Sequence, residues 1–430
     1  MTSFQRFATA SIAALAFISF TPSAWAACDF AKFADGEIVV GQEVATVQQA
    51  VDVAKNCEFQ ISGFSVPPGA TVSVTSGSKT ITNNQSGTVS WIGGSDSIIA
   101  GELIQIGGSG KWYEVASVTN TSLTVTREIE QTSGNYSYAV SIQPIISIIG
   151  GVIYEESVNL TGLHYVSIKQ HLSGTRPIVH SWDSFSFFNE ESIYGHLRFK
   201  NLDIFGESSP VMQFTDGDVD LTIDSCDLHS RGYDAFDSAS YGNYVFTNSR
   251  IESRNDVAFV GSEHWSSHPV RSVIVTRSSF ISAGTNPSSP ASPDVGFRKL
   301  LIIYGARAGG QFLIDKSTFS IATRTPGDNV GVAFSPVAPS DPVTLNISDS
   351  SFSCTDCNGT VSTGMMMAAV NAHGSGVTIN IDKTKFATRL GGCAVAADQG
   401  AKIIVTNSSW PYDSNGNAPV CTATGGQVIY

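Results

Sequence analysis

The chain has 430 residues, of which only 14% are charged, and its formal net charge is −13. A surface so acidic and so sparsely charged has no basic track for a phosphate backbone, which excludes nucleic acid as an expected partner. About 400 mature residues can bury a large core, as one elongated domain or as two or three compact ones.

In chain order, residues 1–26 read as a secretory signal: Arg6 in the n-region, the apolar run "IAALAFISF", then Pro22 and an "AWA" cleavage site that leaves Ala27 first. A lipid anchor on Cys28 is disfavoured, because Trp25 stands where a lipobox needs a small aliphatic residue. No later apolar stretch reaches the ~20 residues of a membrane span, so the expected product is secreted, soluble and monomeric. Seven cysteines in an exported chain suggest disulfides with one thiol left over. Cys28 with Cys57 and Cys393 with Cys421 are candidate staples at the two ends, Cys354 and Cys357 a local loop pair, and Cys226 a small buried hydrophobe.

Residues 27–84 are expected to form an N-terminal cap with a helix over 46–56. There Thr46 and Gln49 make a capping box, and Val47, Ala50, Val51 and Ala54 one apolar stripe. Residues 85–142 alternate short strands with Gly-Gly, Gly-Ser-Gly and Asn-Thr turns, which predicts a small inserted antiparallel β-barrel. Its Trp91, Trp112 and Tyr113 suit a barrel core better than a sugar-stacking face.

Residues 143–430 are dominated by one recurring phrase: "LRFKNLDI", "LTIDSCDL", "YVFTNSRI", "VIVTRSSF", "LIDKSTF", "LNISDSSF", "INIDKTKF", "IIVTNSSW". Alternating apolar residues lead to a polar anchor, which falls at Asn201, Ser225, Asn248, Arg277, Lys316, Asp349, Lys383 and Asn407, and a large apolar residue follows. The anchors are 24, 23, 29, 39, 33, 34 and 24 residues apart, a minimum near 23 with loops added. This predicts an all-β fold, a right-handed parallel β-helix whose coils bury their apolar faces against one another. The alternative, an antiparallel sandwich, would need hairpin turns that are scarce here.

Matching positions on successive coils lie about 4.8 Å apart. Asp234 is 13 residues past Leu221 and Asp256 is 12 past Tyr244, so the two acids are candidates for adjacent rungs. Two carboxyls held so close cannot both ionise easily, which yields a protonated acid beside an ionised base or nucleophile. Spacing alone suits slightly better two turn residues that bond their own backbone. Asp237 is a third nearby carboxylate. Asp216, Asp218 and Asp220 in "DGDVD" are an oxygen-rich run whose expected role is a solvated turn rather than a calcium site. His264 and His268 in "HWSSHP" read as loop residues, with Trp265 between them a candidate sugar contact, and His229 reads as a surface histidine.

Three phrases carry a resemblance. "TVQQAVDVA" and "GGVIYEESVNLTG", together with the run from "SPVMQFTDGDVDLTIDSCDLHSRGYDAFD" to "NYVFTNSRIESRNDVAFVG", resemble in order and spacing the pectin methylesterases of the pectin lyase-like superfamily, over residues 44–56 and 145–320. The resemblance implies a nucleophilic Asp256, an acid/base Asp234 and an orienting Arg307, with Arg298 and Arg324 as other candidates. It implies a polysaccharide substrate, no cofactor and no metal, with Gln213, Tyr233, Asp237 and Trp265 at the substrate. The pattern departs where Tyr233 replaces the Gln that precedes the acid/base Asp, and where the second oxyanion Gln falls near Val211 with Gln213 two residues along. A polygalacturonase-like hydrolase, a polysaccharide lyase and a non-catalytic glycan-binding β-helix remain the alternatives.

Overall fold

The computed structural model describes residues 36–59, 64–93, 97–108, 110–181, 185–188, 194–207, 210–215, 217–231, 234–239, 241–254, 257–261, 269–283, 298–322, 329–355, 368–386, 393–411 and 418–430. Over these residues the chain winds into a right-handed parallel β-helix with three sheets. The first sheet runs from Glu37–Val40 and Ile145–Ile148 through Tyr194–Lys200, Asp218–Asp224, Tyr241–Thr247 and Val270–Thr276 to Gln427–Ile429. The second takes in Met212–Thr215, Phe236–Ser238 and Ala258–Gly261 and ends at Val420–Thr422. The third has nine strands, from Ile153–Glu155 to Lys385–Phe386. Arg298–Asp315 is one strand shared by two sheets: its first half pairs with Ala258–Gly261 and its second with Val270–Thr276.

From the strand Tyr194–Lys200 onward, each passage from the first sheet to the third uses the same bend. Its leading residues are the anchors Asn201, Ser225, Asn248, Arg277, Lys316, Asp349, Lys383 and Asn407, all left-handed with φ between 46° and 57°. Such φ values cost an ordinary L-residue free energy, so the bend is populated mainly by short polar side chains. The position after the anchor builds an internal ladder. The backbone N–H groups of Ser249, Ser278 and Ser317 donate to the hydroxyls of Ser278, Ser317 and Ser350 on the next coil, at 3.2, 3.2 and 3.1 Å. Each hydroxyl in turn donates to the carbonyl two residues before it, as Ser317 does to Asp315 at 2.8 Å. Cys226 occupies the same position as a free buried thiol, donating to the Asp224 carbonyl at 3.4 Å, and burial pushes its pKa up to about 12.

The large apolar residue of each phrase points inward. Phe280, Phe319, Phe352 and Phe386 stack face to face at 5.2, 4.8 and 5.3 Å, and Trp410 closes the column. Offset ring stacking at these separations adds to the burial of each ring.

A helix covers the first end of the coils. Val47–Cys57 is the expected helix: Thr46 accepts from the Gln49 N–H at 3.1 Å, Val47, Ala50, Val51 and Ala54 are buried, and Glu156 accepts from the Val47 and Gln48 N–H groups at 2.7 and 2.8 Å. A carboxylate there pairs with the positive end of the helix dipole. Cys393 and Cys421 form a disulfide, and Cys57 is also disulfide-bonded, whereas Cys28 and Cys357 lie outside the described residues. No helix among the described residues is long and apolar enough to cross a membrane.

Between Glu37–Val40 and its neighbour Ile145–Ile148 the chain makes a seven-stranded antiparallel sheet with its own core. It includes Val72–Val74 and Thr80–Asn83, which the sequence reading places in the cap: strands of three and four residues carry too little alternation to be recognised. Trp91 and Tyr113 fill its core, 0% and 3% exposed, and the Trp91 indole donates to the Tyr138 hydroxyl at 2.9 Å. Trp112 is half-buried and stacks on Phe59 at 4.9 Å.

Candidate functional site

Gln213, Asp237 and Phe259 stand side by side on three successive strands of the second sheet. Gln213 and Asp237 are half-buried. The lateral neighbours of Asp237 are thus an amide and a ring rather than a second carboxylate. Asp234, also half-buried, lies just before Ala235, whose N–H donates to the Val257 carbonyl at 3.2 Å. Phe236 pairs with Ala258, an offset of 22 residues, the same offset that separates Asp234 from Asp256 in the sequence. Asp256, Tyr233, Trp265, Arg324, Asp216, His264 and His268 lie outside the described residues, as does the side chain of Arg298.

His229 sits on the third sheet, where its ring stacks on Phe205 at 5.0 Å and faces Glu252 at 3.7 Å. Arg307 is exposed, at the bend of the strand Arg298–Asp315. It lines a cleft of about 570 Å³ where the antiparallel unit meets the first sheet, and Asp234, Gln213 and Asp237 do not line that cleft.

The cleft floor is a register row. His196, Asp220, Asn243, Ser272 and Gln311 are lateral partners on five successive strands. Asn243 donates to the Asp220 carboxylate through its side chain at 2.6 Å and its backbone at 3.2 Å, and Ser272 donates to the Asn243 side-chain amide oxygen at 2.7 Å. Gly242 precedes Asn243 in the row, and a Cβ there would lie 1.9 Å from the Val219 carbonyl oxygen on the preceding coil.

Behind the row runs an ion-pair seam. Asp218 binds Arg127 of the antiparallel unit at 2.8 Å and also Arg271, and Glu114 of that unit binds His196 and Arg198. Asp218 and Asp220 are therefore buried strand residues and not the solvated turn expected of "DGDVD". The alternation of Asp with Gly and Val in that run is what a strand requires, but its Arg partners are remote in sequence. Burial pushes Asp218 above the ordinary carboxylate range, with Arg127 and Arg271 opposing. Burial alone would raise Asp220 too, but Arg127, His196, Arg271 and the Asn243 amide hold it below that range. Among the described residues no group of three or more His, Cys, Asp or Glu could hold a metal ion.

The chain matches no protein-family model and no curated protein. Among solved structures it is similar to the tailspike protein of Pseudomonas phage LKA1, with 13% identity and a TM-score of 0.30, covering 84% of this chain and 66% of that one. It is also similar to the tailspike of Pseudomonas phage phi297, with 11% identity, a TM-score of 0.27 and coverage of 82% and 64%. A third is the catalytic unit of an alpha-1,3-glucanase from Streptomyces thermodiastaticus, with 10% identity, a TM-score of 0.19 and coverage of 79% and 88%. The chain thus spans a little under two thirds of each tailspike's length.

Proposed function

We propose that the protein is an exported carbohydrate-active β-helix protein that lays a polysaccharide across the second sheet and hydrolyses a carboxylic ester on it, in the manner of a pectin methylesterase. One agreement supports this reading: the register that pairs Phe236 with Ala258 has the 22-residue offset that separates Asp234 from Asp256. In this reading the Asp256 carboxylate attacks the methyl-ester carbonyl. Asp234, in its acid form, gives its proton to the departing methoxide, and the acyl-enzyme is then hydrolysed by a water that Asp234 deprotonates. Gln213, half-buried one strand before Asp237, is the amide donor available to the developing oxyanion.

The test is methanol release from methyl-esterified pectin. Wild type is expected to be active, Asp256→Asn inactive, Asp234→Asn slower by about 10² to 10⁴, and Gln213→Ala slower by about 10² to 10³. Wild type and both Asp variants equally inert would end the esterase form. The replacement of the family's Gln by Tyr233, and the absence of a carboxylate beside Asp237, favour a second form in which the same face binds glycan without catalysis. A glycan-array signal that survives both Asp changes would select it.

A further inference from the structure

The cleft on the first sheet lies on a different face from Gln213 and Asp237 and calls for a ligand of its own. Its volume, about 570 Å³, is that of a small-ligand site, and its lining is more polar than apolar, where most such pockets are mainly apolar. The floor presents Asp220, Asn243 and Ser272, one per coil at the strand spacing and already linked to one another, which leaves a ligand the second Asp220 oxygen and the Ser272 oxygen as acceptors and the second Asn243 amide N–H as a donor. Hydroxyl groups, which both donate and accept, match such a series better than an apolar body or a polyanion.

The charges are unevenly committed. Asp218 neutralises Arg127 and Arg271, and Lys111 pairs with Glu130 at 2.6 Å. Arg307 at the rim is exposed and has no hydrogen-bond or ion-pair partner among the described residues. Its planar fork fits a carboxylate in two-point contact. The rim is shaped to present it: Gly309 has φ +76°, and a Cβ on Gly310 would lie 2.3 Å from the Arg271 carbonyl oxygen.

From this geometry we propose that the cleft is a second saccharide site, taking a uronic-acid-bearing oligosaccharide. Its hydroxyls rest on the row Asp220, Asn243 and Ser272, and its carboxylate rests on Arg307. The choice of a polysaccharide-derived ligand rests on the proposed function; the site does not depend on the chemistry at Asp234 and Asp256.

Hydrogen exchange of the full chain, with and without oligogalacturonides, tests it through the peptide covering Arg307–Gln311. The ligand should slow exchange there in wild type and in the Asp234→Asn, Asp256→Asn double variant. Arg307→Ala, whose side chain is exposed and so dispensable for folding, should weaken the affinity read from this protection by about tenfold or more. In the Asp234→Asn, Asp256→Asn background, which cannot remove the ester, adding Arg307→Ala should leave binding of fully methyl-esterified oligomers unchanged, because the carboxylate contact is then missing with or without Arg307. Asp220→Asn should weaken binding of both oligomers. No protection in wild type, protection unchanged in Arg307→Ala, or protection lost only when Asp234 and Asp256 are replaced would each overturn the site. Methanol release is scored separately, so failure of the esterase reading with protection intact leaves the cleft standing.

Discussion

Lys316 is a long cation held at φ 48°, where most residues with a Cβ are strained, Gly is free of that strain and Asn offsets it by local hydrogen bonding. Lys316→Asn should therefore raise stability by up to about 1 kcal/mol and Lys316→Val should lower it by about 1–2 kcal/mol, β-branching adding to the strain. Its neighbour Ser317 works differently. The Ser317 hydroxyl accepts from the Ser278 N–H at 3.2 Å and donates to the Asp315 carbonyl. Ser317→Ala strands a buried N–H and should cost about 1–3 kcal/mol in chemical denaturation, against little for a serine outside the ladder. The anchors are legible in the sequence because a left-handed bend filters residue type at each pass. Asp218 and Asp220 are not, since the cations that make their burial tolerable, Arg127 and Arg271, are separated from them by dozens of residues.

At the level of strands, the limiting dimension is the distance between coils. Gly242 and Gly310 lie where the backbone of the neighbouring coil leaves no room for a methyl group. Gly242→Ala should destabilise the chain by about 3 kcal/mol, at the upper end of the usual cost of overpacking, and should disturb the cleft floor at Asn243 next to it. A thermal melt that matches wild type would refute the close approach. Glycine is common throughout the sequence, with 40 in the chain, so composition does not mark these two out. The long-period repeat does predict the strands of the first and third sheets, because each phrase carries alternating apolar residues on both sides of the bend, whereas second-sheet strands such as Phe236–Ser238 and Ala258–Gly261 fall outside every phrase. The short strands Val72–Val74 and Thr80–Asn83 carry too few, which is why residue pattern alone starts the antiparallel unit later in the chain than the fold does.

For the molecule as a whole, the seam between the antiparallel unit and the coils couples stability to pH through two acids of opposite sign. Asp220 sits below its ordinary value when folded, so its contribution is complete above the unfolded pKa of ~3.9 and is lost as pH falls through the folded value. Asp218 sits above its ordinary value, so the folded chain binds its proton more readily, and stability falls as pH rises from ~3.9 through the folded value. Asp220→Asn should flatten the acid limb below about pH 4, and Asp218→Asn should flatten the slope just above it. Denaturation midpoints measured from about pH 2.5 to 6, on both sides of the ordinary carboxylate pKa, distinguish the variants; identical profiles would remove both acids from the linkage.

From the strand Tyr194–Lys200 onward, each crossing from the first sheet to the third takes two residues, from Lys200 to Asp203 at one coil and from Asp382 to Lys385 at another. All the variation in repeat length, from 23 to 39 residues, is therefore pushed into the other two corners of the triangle. Over these coils one edge of the rod is uniform, while the opposite edges absorb up to about 16 additional residues per repeat. Peptides or whole modules grafted between the third and second sheets should leave the scaffold folded, whereas a single residue added after Lys316 should throw every later rung out of step.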